Sequence, residues 1–502
     1  MERLRRSFQF PGERYLLDVN ARPARSLRNR NTVIRSNTGC VCASASEVSR
    51  GAAGHGRLDR LPAVVWHNSG MRPHLRGRSR LALLLVLSVV ASGCGSAGIP
   101  TAPSSHSPLP PATATATATA SVPATVSAST GQSDQATFAA IESQVQAIRE
   151  LQPSAPVTPV LLDPTELRDK LTSINAAQTD HRAMANESRL YVDLGLLPAG
   201  SSLEQMELDL DSSQVIGFYD TDSKGLYVLS DSGGVGPIEK ATFSHEYTHA
   251  LQDQNFGLDK LATDAADQGD RDLARTAVPE GDATLVMTEW EKQNLSIPEM
   301  LAIAIDPSAA AQAQQFDAAP AILRQTLLFP YEDGVAFVQG IYGKGGWAAV
   351  NKLYADPPNS TSQILHPELY AAGIEPVAVA VPAVPAALAS GWKLTMQDTL
   401  GELQLRIWLE GESPTNAATT AATSATSEWG GDRVGLYEGP GGAWAVALKT
   451  AWRTTAGGAG FLAAASSKAG TMSGPTAVCA DGSGVAFYAA SDRATLAAFA
   501  TC

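Results

Sequence analysis

Near the middle of the chain, the run His245-Glu246-Tyr247-Thr248-His249 constrains the fold more than any other stretch. Residues four apart lie one above the other on a helix, so these two imidazoles can meet one metal ion only if the segment is helical. A zinc ion held by two histidines needs a third protein ligand from elsewhere and keeps its fourth position for water, which the intervening Glu246 can reach as a general base. The motif therefore asks for a helix and for a second element that approaches it. Pro237 suits a first helical turn and Gly257 a C-terminal stop, which predicts a helix over 237–256. The alternative, two ordinary core or solvated histidines, lacks an explanation for the context on either side.

That context is a predicted β-hairpin before the helix and a carboxylate after it. Val215 to Tyr219 and Leu226 to Leu229 flank the turn-rich Asp220-Thr221-Asp222-Ser223-Lys224-Gly225. Glu280, 31 positions after His249, is the expected third ligand. Pro279 lacks the N–H a helix interior uses, which puts Glu280 in a first turn or at a kink. Asp259, Asp264, Asp267, Asp270 and Asp272 are competing ligands from an acidic loop. Further on, Tyr331 and His366 are candidate donors to the oxyanion of a tetrahedral intermediate, although a histidine placed before Pro367 also suits local backbone capping.

The arrangement resembles the gluzincin class of zincin metallopeptidases, with HExxH on one helix, a liganding Glu on the next and a small sheet beside the first. It is most similar to exported bacterial proteins of this class that carry a GFYD hairpin, HEYTHALQDQ and EGDAT, over roughly residues 185 to 380. The resemblance implies an α+β fold with a zincin-like catalytic domain, a small sheet plus active-site helix and a helical second lobe. It also implies one catalytic Zn2+ held by His245, His249 and Glu280, with Glu246 as base. One departure stands out: the thermolysin-like pattern has Asp four residues after the liganding Glu, where this chain has Thr284. The groups that orient the zinc-bound histidines are then to be found among Thr284, Asp282 and Asp253.

Toward the N-terminus the composition changes. Met71 to Arg80 is basic, Leu81 to Val90 is apolar, and Ala91-Ser92-Gly93 precede Cys94. This reads as a signal peptide over 71–93 and resembles the lipobox of bacterial lipoproteins, which makes Cys94 the lipidated anchor. The apolar run is short of the ~20 residues a spanning helix needs. Residues 1–70 read as an upstream extension with Met71 as initiator, or else as a basic cytoplasmic tail. Residues 94–135, rich in Ser, Thr, Pro and Ala, cannot bury enough apolar surface to fold and read as a tether. Residues 1–93 hold 16 Arg against five acids, so the remainder carries −13 − 11 = −24. So acidic a body argues against nucleic-acid binding.

The folded part divides, in this reading, into a metallopeptidase domain over 136–385 and a small C-terminal ββαβα unit over 390–502, joined by the Val/Pro/Ala stretch 377–389. The C-terminal unit has no catalytic constellation. Cys479 and Cys502 are the cysteines left in the folded body and are expected to form a disulfide in an oxidising compartment. The sequence thus points to a zinc metallopeptidase with a peptide or protein substrate, lipid-anchored on the extracytoplasmic side of a bacterial envelope. Two alternatives share the site: a non-enzymatic envelope lipoprotein on a zincin scaffold that binds a ligand or partner, and a zinc amidohydrolase acting on cell wall.

Overall fold

The computed structural model describes residues 127–500 except 215, 230–234, 262–266 and 389. The expected signal peptide, Cys94, Asp264 and Cys502 lie outside the described residues. All described residues belong to one body, which is α+β with two sheets.

Helix α1 (Ser127–Arg149) begins inside the expected tether and buries Phe138, Ile141 and Val145 at helical spacing. Strand β1 (Pro159–Leu162) leads to α2 (Pro164–Gln178). Asp163 caps this helix by accepting from the Thr165 and Glu166 amides, and Glu166 returns a bond from the Asp163 amide. Helices α3 (His181–Asp193) and α4 (Leu203–Gln214) follow. The expected hairpin is β2 (Gly217–Asp220) and β3 (Gly225–Leu229), antiparallel with Phe218 opposite Tyr227. Strand β1 pairs parallel to β3, so β2 forms the edge of a three-stranded sheet.

The hairpin packs on α5 (Pro237–Phe256), which carries the histidine motif and ends at Gly257 in a positive-φ conformation (75°), as the sequence predicts. Residues Ala241 to Asp253 of α5 are all buried, an unusual surround for a helix this polar. Its serine and threonine hydroxyls are satisfied within the helix: Thr242, Ser244 and Thr248 donate to the carbonyls of Ile238, Ala241 and Ser244.

Helix α6 (Gly269–Asn294) follows, then α7 (Ile297–Ala304), α8 (Pro307–Asp317) and α9 (Ala321–Leu353), the last bent at Gly345 and Gly346. Here one expectation is corrected. Glu280 lies in the interior of α6, not in a first turn, because Pro279 is tolerated inside a helix that neighbours hold in place. The closest of these is α9: a Cβ on Gly281 would lie 2.4 Å from the Gly334 carbonyl oxygen, and one on Gly334 2.7 Å from that of Ala277. Only glycine allows the two backbones to meet there.

Short helices α10 (Thr361–Leu365) and α11 (Pro367–Ala371) precede the C-terminal sheet. That part is larger than the expected ββαβα unit. It comprises β4 (Lys393–Asp398), α12 (Gly401–Glu410), α13 (Asn416–Thr426), β5 (Trp429–Glu438), β6 (Trp444–Trp452), α14 (Thr455–Ala469), β7 (Thr476–Asp481), β8 (Gly484–Ala490) and α15 (Arg493–Phe499). The strands order as β4-β5-β6-β8-β7, every neighbouring pair antiparallel. The stretch expected as a linker lies along this sheet, with the Val377 amide donating to Gly430 and Tyr437 donating to the Pro382 carbonyl. One apolar core runs from Phe138 to Ala489, and the Trp408 indole donates to the Leu194 carbonyl across it. Cys479 is disulfide-bonded; Cys502, its expected partner, is not among the described residues. No helix among the described residues is long and apolar enough to cross a membrane.

Candidate metal centre

Helix α5 presents His245 and His249 one turn apart, with ring centroids 4.6 Å from each other. The interior of α6 brings Glu280 to them: its Oε2 lies 3.5 Å from His245 Nε2 and 3.9 Å from His249 Nε2. One donor atom from each of the three falls within 4.8 Å of the others, the only such group of three or more His, Cys, Asp or Glu among the described residues. All three side chains are fully buried, as is Glu246. This group could hold a metal ion.

Buried polar atoms are normally hydrogen-bonded, and these are not. Among the described residues, both nitrogens of His245, Nε2 of His249, both oxygens of Glu280 and Oε1 of Glu246 have no hydrogen-bond partner. Leaving so many polar atoms unsatisfied in one place costs several kcal/mol in an apolar interior, at ~1–3 kcal/mol each. A cation coordinated by these atoms would satisfy most of them together, so the residues present fit a metal ion.

Electrostatics agree. Burial lowers the His245 pKa to about 3, and pushes His249 well below the usual imidazole range, with His245 adding to the effect and Gln252 opposing it. Both rings are thus neutral, the form that ligates metals. Burial raises Glu246 well above the ordinary carboxylate range, against the Tyr219 amide that favours its charge. Glu280 is raised in the same way, by burial first and then by Glu246, with the nearby Tyr331 side chain opposing this. A bound cation would draw both acids toward their ionised forms.

The atoms around the cluster divide the work differently from the sequence reading. Glu246 is held by one oxygen: the Tyr219 amide on edge strand β2 donates to its Oε2 at 3.0 Å. Gln252, one turn beyond His249, accepts from His249 Nδ1 at 2.7 Å and donates to the Pro279 carbonyl at 3.1 Å. Neither residue was singled out in the sequence; Gln252 could have been, since i+3 on a helix shares the face of His249.

Asp253, Asp282 and Thr284, expected to orient the histidines, do not. Asp253 binds the hairpin, through Tyr219 Oη at 2.9 Å and Lys224 Nζ at 2.6 Å, and accepts from the Leu258 amide just beyond the end of α5 at 3.1 Å. Asp282 is taken up by Arg149 and Tyr354, and Thr284 Oγ1 has no partner among the described residues. Tyr331 stands beside His245, ring centroids 6.3 Å apart. The His366 ring is bound instead to Glu402 of α12, at 2.8 Å. Of the acidic-loop alternatives, Asp267 pairs with Arg433, Asp270 accepts from Thr361, Asp259 is exposed and Asp272 is buried near the start of α6.

Compared with known proteins, residues 392–500 match a family profile described as a domain of unknown function (DUF8575), which spans the C-terminal sheet and not the histidine cluster. No curated protein matches. A crystal structure from Chloroflexus aurantiacus, described as a "putative hydrolase with a novel fold", is similar at 17% identity and a TM-score of 0.30, over 48% of this chain and 89% of that one. That likeness is too slight to bear on the chemistry of the site.

Proposed function

We propose that this chain is a zinc-dependent metallopeptidase of the zincin type, tethered through Cys94 to the outer face of a bacterial membrane. The observation that carries the reading is the group of three fully buried side chains, His245, His249 and Glu280, whose facing donor atoms converge without hydrogen-bond partners among the described residues, with the equally buried Glu246 beside them leaving its Oε1 without a partner there. The peptide substrate and the zincin comparison rest on the sequence resemblance, and the anchor on the residues before Cys94.

Zinc, when bound, supplies Lewis acidity that polarises a scissile carbonyl and makes water nucleophilic near neutral pH. His245 and His249 would hold it through neutral nitrogens and Glu280 through a carboxylate oxygen. Glu246 does the proton work. Its Oε2 is fixed by the Tyr219 amide, which leaves Oε1 to take a proton from the attacking water and pass it to the leaving nitrogen. Tyr331 favours the ionised form of Glu280 and so supports a ligand.

A panel of unstructured peptides and denatured proteins, with and without a chelator, tests the activity. Chelator-sensitive cleavage supports the reading. A zinc-loaded protein that cleaves nothing in the panel favours a binding scaffold. Cys94→Ser tests the anchor separately: the variant should move to the soluble fraction, and retention in the membrane with the N-terminal extension intact would reject it.

A further inference from the structure

We infer that Gln252 is a positioning residue for the metal centre: held by the Pro279 carbonyl on the helix of one ligand, it fixes the tautomer and ring orientation of another, His249. The inference rests on the metal-centre reading above.

The chain of reasoning begins at Pro279. Its carbonyl oxygen can only accept, so the 3.1 Å contact from Gln252 must come from the amide nitrogen, and the amide oxygen must be the atom facing His249. An amide oxygen in turn only accepts. The 2.7 Å contact at His249 Nδ1 therefore places the ring's proton there. A neutral imidazole carries one N–H, so the lone pair lies at Nε2, the atom 3.9 Å from Glu280 Oε2 that has no hydrogen-bond partner among the described residues. A free imidazole has both tautomers available; here a carbonyl two bonds removed from the ring selects one.

His245 has no such lock. Neither of its nitrogens has a hydrogen-bond partner among the described residues, so of the two imidazoles only His249 is oriented before metal arrives. Gln252 also joins α5 to α6 at the residue preceding Glu280. One fully buried side chain thereby ties the ligand pair on one helix to the ligand on the other, which limits how far the donors can drift apart in the metal-free protein.

Two substitutions in the full chain separate this from a merely structural role. Gln252→Met keeps length and apolar packing but neither hydrogen bond. Gln252→Glu, in its protonated form, can donate to Pro279 and accept from His249, and serves as the conservative rescue. The readouts are side-chain ¹⁵N spectra of His249 in the metal-free protein, zinc affinity by chelator competition, and the visible absorption of the cobalt-substituted site. We expect His249 to be the Nδ1–H tautomer in wild type and in Gln252→Glu. In Gln252→Met we expect a shift toward Nε2–H and a zinc affinity lower by ~10–100-fold, the usual effect of losing a group behind a ligand, with a changed cobalt spectrum. Gln252→Met that keeps the Nδ1–H tautomer and wild-type zinc affinity would overturn the inference, as would Gln252→Glu that folds but behaves like Gln252→Met. Should Gln252→Met fail to fold, the tautomer in wild type and in Gln252→Glu decides alone. A wild-type chain in the Nδ1–H form that binds no zinc would overturn the metal-centre reading and leave the orienting role of Gln252 standing.

Discussion

Glu280 and Asp282 are two carboxylates on one helix, two residues apart, both fully buried, and their surroundings are opposite. Asp282 accepts from Arg149 Nε at 2.7 Å, from Arg149 Nη2 at 2.9 Å and from Tyr354 Oη at 2.6 Å. Arg149, itself fully buried, reaches Asn351 with Nη2 and stacks its guanidinium over Trp347 at 4.4 Å; its Nη1 has no hydrogen-bond partner among the described residues. Asp282 and Tyr354 keep the guanidinium charged in spite of burial. Glu280 has no hydrogen bond from any described residue. The first carboxylate is satisfied by the protein and holds helices together. The second has neither oxygen hydrogen-bonded by a described residue and lies beside two histidines with which it could hold a metal ion. Burial alone would not distinguish them; hydrogen-bond accounting does.

The sharpest way to break the contrast is to unpair the satisfied member. Arg149→Met should destabilise the protein by about 3–5 kcal/mol, because it strands a buried carboxylate, and should free α1 from α6; denaturant unfolding measures it. On the other side, Glu246→Gln keeps shape but removes the base, so peptide hydrolysis should fall at least ~100-fold, about 2.7 kcal/mol in barrier, with zinc content unchanged. Gly334→Ala acts on the frame both carboxylates share. Its new methyl would meet Ala277 backbone oxygen at 2.7 Å, so α9 must move away from α6 at a cost of about 1–3 kcal/mol, and zinc affinity should fall with thermal stability. Glu280→Gln is expected to stay within about 1 kcal/mol of wild type in the metal-free protein, since no hydrogen bond is lost, while losing zinc. A loss of stability as large as that of Arg149→Met would mean that Glu280 serves the fold.

The smallest effect concerns His366. Its bond to Glu402 raises its pKa, with burial opposing. The sign follows: the stability this pair contributes is fully present below the ordinary imidazole pKa and is lost as pH rises through the raised folded value. With a quarter of the side chain exposed the contribution is under about 1 kcal/mol. His366→Gln should therefore lower stability below the ordinary imidazole pKa, an effect that fades toward alkaline pH, with hydrolysis preserved; a collapse of hydrolysis would return His366 to the catalytic candidates.

How much of this was readable beforehand follows from sequence distance. The α5 helix, its limits at Pro237 and Gly257, and the β2–β3 hairpin are encoded locally, by turn residues and spacing. The pair His245 and His249 is legible because its chemistry is distinctive at short range, whereas Glu280, 31 positions on, competes in the sequence with the aspartates of the acidic loop. The Arg149–Asp282 pair spans 133 positions, and no local pattern announces it, so the sequence leaves Asp282 among the three candidates for orienting the histidines. Pro279 misled in a different way: a proline lowers the odds of a helix interior, and packing against α9 overrides that preference. Strands β4 and β7 were missed because neighbours complete them; Thr476 to Asp481 pairs with β8 in register, although its own six residues carry little alternation.

The central claim is that the unpartnered donors are a metal site, and metal content tests it most directly. Elemental analysis of the purified chain after zinc loading and desalting should find about one zinc per chain, as three protein ligands with one open position would hold, and His249→Ala should lose it. A wild-type chain that retains no zinc, or a His249→Ala variant that retains it in full, would contradict the account.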